Sequence, residues 1–271
     1  YRFKKGSGFP VSVPSVDLVE IGAGGGSLAR VDQFGLLKVG PESAGAEPGP
    51  ACYGQGGTAP AVTDADLLLG LLDADAFLGG AMPLDVSLAE ESARLVAEGL
   101  GMTTVETAAG IHEVVNQNMA AAARMHGVER GVDLRGVTIL AFGGAGPVHA
   151  CGVADLLESD RVVFPVNASV LSAFGTLVSP VRIDLARSLL RPLEQLDEVE
   201  RDEMLGELRH EGRRVLMAAG VHEDSIAYAY GVDARYVGQG NEITIWVDEG
   251  ADWTVSMADV QATFGEEYRR I

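Results

Sequence analysis

The sequence predicts an α/β fold. Apolar, β-branched runs alternate along the whole chain with stretches of helical periodicity, and glycines gather where the runs end. No internal repeat interrupts this alternation, so it reads as one continuous α/β chain, with a second domain expected to start after about residue 190.

The elements follow in order. Residues 16–21, 28–31 and 36–39 are short apolar runs separated by glycine clusters, the pattern of strands joined by tight turns. A long loop at 40–57 precedes a helix expected at 63–72, with Thr63 as its cap and Asp64 and Asp66 in the first turn, where carboxylates suit the positive end of the helix dipole. Two more helical patterns cover 87–100 and 104–125, the second with Val105, Ala108, Val115 and Ala122 on one stripe. The run at 137–142 ends in Gly143 and Gly144, and helix character resumes from Pro147 to Leu157, a strand-turn-helix unit. Further on come a short strand at 161–165, a helix at 168–178 and a strand at 181–190. A charged helix at 194–219, strands at 226–237 and 242–247, and a last helix from Met257 complete the pattern.

With 271 residues and 47% hydrophobic content, the chain can bury a substantial core. Carboxylates outnumber basic residues 39 to 20, a formal charge of -19, which argues against a surface that tracks nucleic-acid phosphates. No apolar run reaches bilayer length and no signal-peptide pattern opens the chain, so a cytoplasmic protein is expected. Cys52 and Cys151 stand far apart without metal-ligand spacing; both read as reduced thiols, and no residue set is assigned to a resident metal. The chain opens without methionine and stops directly after an amphipathic pattern, so both ends are expected to be cuts in a longer protein.

Two glycine clusters are candidate ligand sites. Gly143, Gly144, Ala145, Gly146 and Pro147 lie between a strand and a helix start, where bare backbone N–H groups and a helix N-terminus suit an anionic or flat ligand. No Lys-Ser/Thr follows, so this is not a Walker loop, and the spacing is not that of a dinucleotide fingerprint. A plain tight βα turn is the other reading. Gly24, Gly25, Gly26 and Ser27 belong to a string with four glycines in five positions. Each glycine costs on the order of 0.5–1 kcal/mol relative to alanine, which favours a site over a glycine hairpin.

The loop at 43–54 is rich in small residues and proline. Cys52 has no histidine near it in sequence to activate it, so a buried structural thiol is the favoured reading. Asp64 and Asp66 are placed either to meet Mg2+ and polarise a water or simply to charge a helix start. His149, on the first turn behind the glycine loop, is a candidate acid-base group or a packed structural histidine. His112, Asn116, Gln117 and Asn118 read as solvent-facing or interhelical polar residues.

Four strings, taken in order, resemble the hydantoinase A/oxoprolinase family: IGAGGGS at 21–27, VGPESAGAEPGPACYG at 39–54, TDA at 63–65 and AFGGAGPVHA at 141–150. The similarity continues through SAFG at 172–175 and RYVGQ at 235–239. Family members often carry His-Thr where this chain has Val19 and Glu20, and a glycine where Ser169 stands.

The resemblance implies an actin-like ATPase lobe of ribonuclease H-like type, a mixed sheet flanked by helices that closes over ATP and Mg2+. The family's Asp-x-Gly-Gly-Thr phosphate loops lie outside this sequence, and the turn at 143–147 would then cradle the adenosine side. The catalytic residues expected from the residues themselves are Asp64 and His149. The implied chemistry is transfer of the ATP γ-phosphoryl to a carbonyl oxygen, followed by attack of water, which suits lactams such as hydantoins or 5-oxoproline. Ketone carboxylation by the same activation is the alternative within enzymes, and a nucleotide-binding regulatory lobe the alternative outside them. A B-type hydantoinase subunit or domain is the implied partner.

Overall fold

The computed structural model describes residues 18–247 and 257–270. The chain divides into two compact units, one ending at Ser179 and the other running from Pro180 onward, against the boundary expected near 190.

In the first unit the strands β1 (Ser27–Val31) and β2 (Leu37–Ser43) form an antiparallel hairpin. Its turn is built by Asp32, whose Oδ1 accepts from the amides of Phe34 and Leu36 at 2.9 and 3.0 Å, while Gly35 takes φ +77°. The run expected as a strand at 16–21 forms none in its described part, residues 18–21, and Leu18 is 80% exposed.

Helices α1 (Val62–Leu68), α2 (Val86–Leu100) and α3 (Thr104–Glu129) follow. Asp85 caps α2 through the amides of Ser87 and Leu88, and Gly101 ends it in the left-handed conformation. Thr103 and Glu106 form a capping box on α3. The buried stripe of α3 is Ala108, Ile111, Val115 and Ala120, rotated from the expected one, since Val105 is exposed. With Ala29, Val39, Val62 and Ala65 this stripe makes the main core, the hairpin lying against α1 and α3. A smaller cluster of Cys52, Leu67, Leu84 and Ala89 lies beside it.

Strands β3 (Ile139–Leu140) and β4 (Val162–Val163) pair in parallel around α4 (Gly146–Leu157). They are shorter than the apolar runs that announced them. The ladder ends where Gly143 turns at φ +90°, its amide bonding to the carbonyl of Ala168. Helix α5 (Leu171–Val178) closes the unit after a single 3-10 turn.

In the second unit α6 (Glu198–Ala218) carries ion pairs from the preceding segment, Arg187 to Glu211 at 3.2 Å and Arg191 to Glu200 at 2.5 Å. That segment, expected as a strand at 181–190, joins no ladder. Strands β5 (Tyr230–Ala234) and β6 (Ile243–Val247) form an antiparallel hairpin, and α7 (Met257–Arg270) packs on β6 with Val260 and Phe264 buried. The α/β interleaving is therefore as expected, with both parallel and antiparallel pairing. Among the described residues the strands stand as three two-stranded ladders, not one continuous sheet.

No helix among the described residues is long and apolar enough to cross a membrane.

Candidate functional site

The first unit brings the two glycine clusters side by side. Gly25 is held at the start of α1, its carbonyl accepting from both the amide (2.8 Å) and the hydroxyl (2.9 Å) of Thr63. A Cβ on Gly25 would stand 2.8 Å from Thr63 Oγ1 and 3.5 Å from the Ala145 side chain, so the loop at 22–27 lies against the turn at 143–147. Gly26 likewise has no room for a side chain, since Ser43 Oγ would be 2.8 Å away. Ser27 faces inward, its hydroxyl accepting from Gly24 N at 3.0 Å and donating to the Gly22 carbonyl. Packing alone thus requires glycine at two of the four positions expected to bind cofactor.

The remaining glycines expected to bind cofactor face open space. A Cβ on Gly24, Gly143, Gly144 or Gly146 would meet nothing within 4 Å. Among the described residues the amides of Gly144 and Ala145 find no protein acceptor, and they lead directly into α4, whose second residue is Pro147. Bare backbone, free N–H groups and a helix N-terminus together form a ledge suited to a flat or anionic group. A shallow cleft of about 380 Å³ between Ala29, Pro60 and Gly99 does not include this ledge.

Asp64 lies behind the first loop and is fully buried. Its Oδ2 accepts from the amides of Ala51 (3.1 Å) and Ala61 (2.7 Å), and its Oδ1 from Cys52 N (2.7 Å). Ala61, and not Thr63, is the N-cap of α1; the carboxylate at the third helical position reaches back to its amide and supplies the missing acceptor. The cis peptide Glu47-Pro48 lies in the loop thus tied down, and the cis peptide Gly40-Pro41 lies in β2. Burial, then the charge of Asp64, push the Cys52 thiol far above the ordinary range, which makes it an inert core group.

A second polar cluster sits beneath the ledge, where α3 packs against both α1 and α4. Asp66 of α1 is buried, and its Oδ1 lies 2.8 Å from His112 Nδ1 of α3. Its Oδ2 lies 3.3 Å from Nε2 of His149, which is fully buried at the start of α4. Nδ1 of His149 lies 2.9 Å from Asn116 Oδ1, and the two imidazoles stack with centroids 4.7 Å apart. Asn116 is itself buried, and the close approach of α3 and α4 at this point needs Gly152, where any Cβ would overlap the Asn116 amide.

Neither Asp64 nor His149, the two expected catalytic residues, reaches the surface of the ledge: both are 0% exposed. Sequence reasoning did not join Asp66, His112 and Asn116 to His149. The available signal was His112 and Asn116, four residues apart, lying on the same flank of α3 as the buried Ile111 and Val115. Gln117 does face outward, bonded to Glu113.

Residues 2–185 match the hydantoinase/oxoprolinase family. The chain belongs to that family. The caprolactamase α subunit of Pseudomonas jessenii is 37% identical over 277 residues, covering all of this chain and 40% of that protein. An uncharacterised protein of Methanocaldococcus jannaschii is 39% identical and likewise covered to 38% of its length, so the chain spans about two fifths of such relatives. The γ subunit of acetophenone carboxylase from Aromatoleum aromaticum is 36% identical over 240 residues, covering 85% of this chain and 32% of that protein. Among solved structures, nucleotide-free acetone carboxylase superposes with a TM-score of 0.72 at 26% identity, over 92% of this chain and 36% of that one. The ATP-dependent caprolactamase of P. jessenii superposes with a TM-score of 0.67 at 35% identity, over 91% and 36%.

Proposed function

We propose that this chain supplies a nucleotide-facing lobe of actin-like, ribonuclease H-like type to an ATP-dependent cyclic amidase. The observation that carries the reading is the open ledge: residues 22–27 and 143–147 come from opposite ends of the unit, yet meet at Gly25 and Ala145, with bare backbone facing solvent. The ATP dependence of both structural neighbours supports it.

On this reading Gly143, Gly144 and Gly146 carry the adenosine side of ATP, with Mg2+ accompanying the phosphates. The amides of Gly144 and Ala145, without an acceptor among the described residues, and the start of α4 add positive partial charge. ATP supplies the phosphoryl group: the bond between its β and γ phosphates breaks, an O–P bond to the substrate carbonyl forms, and ADP leaves. Water then adds to the activated carbon, the ring C–N bond opens and phosphate departs. An unstrained lactam is a poor electrophile, so this coupling gives its opening a driving force. Asp64 and His149, both buried, act as positioning groups: Asp64 holds the loop at 43–54 against α1, and His149 supports the first turn of α4. A B-type subunit completes the enzyme, as fits relatives named as subunits.

A second reading, an ATP-dependent ketone carboxylase subunit, is favoured by the acetone carboxylase superposition. The test is phosphate release from ATP by the full-length protein with its partner subunit. Lactam-stimulated release with a ring-opened product supports the amidase; stimulation only by a ketone with bicarbonate supports the carboxylase. Stimulation by neither contradicts both.

A further inference from the structure

The cluster beneath the ledge leaves one buried ring nitrogen without a hydrogen bond. The amide oxygen of Asn116 has lone pairs and no proton, so the proton between it and His149 resides on His149 Nδ1. That hydrogen bond turns Nε2 toward Asp66 Oδ2 at 3.3 Å, yet Nε2 makes no hydrogen bond, because the carboxylate oxygen lies off its axis. A buried nitrogen lone pair and a buried carboxylate oxygen thus converge with nothing between them. His112 Nδ1 adds a third donor atom 2.8 Å from the other oxygen of the same carboxylate, and all three groups lie within 4.8 Å of one another.

We propose that Asp66, His112 and His149 form a binding site for a divalent transition metal of the zinc type. Metal bonds of about 2.0–2.1 Å to imidazole nitrogen and carboxylate oxygen put neighbouring ligand atoms about 3.3 Å apart in a tetrahedron, the spacing of the Asp66–His149 pair. Two imidazoles with one carboxylate select Zn2+, Co2+ or Ni2+ over Mg2+, which prefers oxygen and keeps its waters. The Asn116 carbonyl plays the outer-shell part that orients a ligating histidine and fixes its tautomer. His112 keeps partial solvent contact, so a water has access to the fourth position. On binding, the metal displaces the His112 Nδ1 proton to solvent, Nε2 of that ring taking up a proton, and the Asp66–His112 hydrogen bond becomes a shared coordination edge. The ligands come from α1, α3 and α4, so the ion would tie together the three helices under the ledge. The site stands whether or not the ledge binds a nucleotide.

The test uses the untagged full-length protein, stripped with chelator and titrated with Co2+ alone. The expected result is one equivalent bound, with the visible bands of low-coordinate cobalt, which Zn2+ then bleaches. Asp66→Asn and His149→Gln should abolish the bands, and Asn116→Ala should weaken uptake about 10–100-fold. Independently of any variant, Zn2+ should raise the melting temperature of the wild-type chain and chelator should reverse the rise. A wild-type chain without cobalt bands or a zinc-dependent melting shift overturns the site, as do bands that persist in folded Asp66→Asn and His149→Gln.

Discussion

Replacing Asp64 with alanine tests the structural logic of the first loop most sharply. The substitution removes one acceptor group from three buried backbone amides, those of Ala51, Cys52 and Ala61. Leaving a buried donor unsatisfied costs about 1–3 kcal/mol. Even with partial relaxation and entry of water, the sum for three donors should reach about 3 kcal/mol or more, a large share of the roughly 5–15 kcal/mol that holds a domain together. Asp64→Asn should be intermediate, because its NH2 group must face either the Cys52 amide or the other two. Urea denaturation followed by circular dichroism gives the comparison, and the loop should become open to protease at 43–54 before the chain unfolds globally. An Asp64→Ala chain within about 1 kcal/mol of wild type, with the loop still protected, would refute the assignment of this carboxylate as the anchor of the loop.

Three further outcomes follow from the geometry. Gly152→Ala should destabilise by about 1–3 kcal/mol, since the new methyl group overlaps the Asn116 amide, although helix propensity alone would favour alanine; a higher melting temperature would contradict the packing described. Titration with a disulfide reagent should find one fast thiol, the exposed Cys151, with Cys52 reacting only after denaturation; two fast thiols in the native chain would contradict the burial of Cys52. Hydrogen bonds from Arg135 hold the Asp133 carboxyl at about 2. Any stabilisation from this pair is present above the ordinary carboxylate range and is lost as pH falls toward that value. An NMR titration should place Asp133 there and move it upward in Arg135→Ala, toward the ordinary carboxylate value but short of it, because the amide of residue 135 still donates to Oδ1; an ordinary midpoint in the wild type would show that the pair does not form in solution.

Helices were legible where periodicity was clear: the stretches expected at 87–100 and 104–125 are α2 and α3. A cap supplied from inside the helix was not: the start of α1 was misplaced because the acceptor for the Ala61 amide is the side chain of Asp64. Apolar runs over-predicted strands at the described residues 18–21 and at 181–190, since a strand exists only with a pairing partner, and a run of β-branched residues says nothing about where that partner lies. Of the candidate site, the glycine strings were readable because bare backbone in such density has few uses. What the strings could not disclose is that Gly25 and Gly26 are fixed by Thr63 and Ser43, while Gly143 and Gly144 are left open. The Asp66–His112–His149 cluster was invisible because its members come from three helices, Asp66 and His112 being 46 positions apart, and only the docking of α3 between α1 and α4 unites them.

The open ledge at Gly144 is the feature on which the proposed function turns, and a single variant tests it. Gly144 does not need the left-handed region and a Cβ there meets nothing within 4 Å, so Gly144→Val should leave the fold intact while filling the space a base or ribose would occupy. Calorimetric titration of ATP into the full-length protein should show binding in the wild type and at least a tenfold loss, about 1.4 kcal/mol, in the variant. Equal affinity in a folded Gly144→Val protein would contradict the nucleotide-facing role of this lobe.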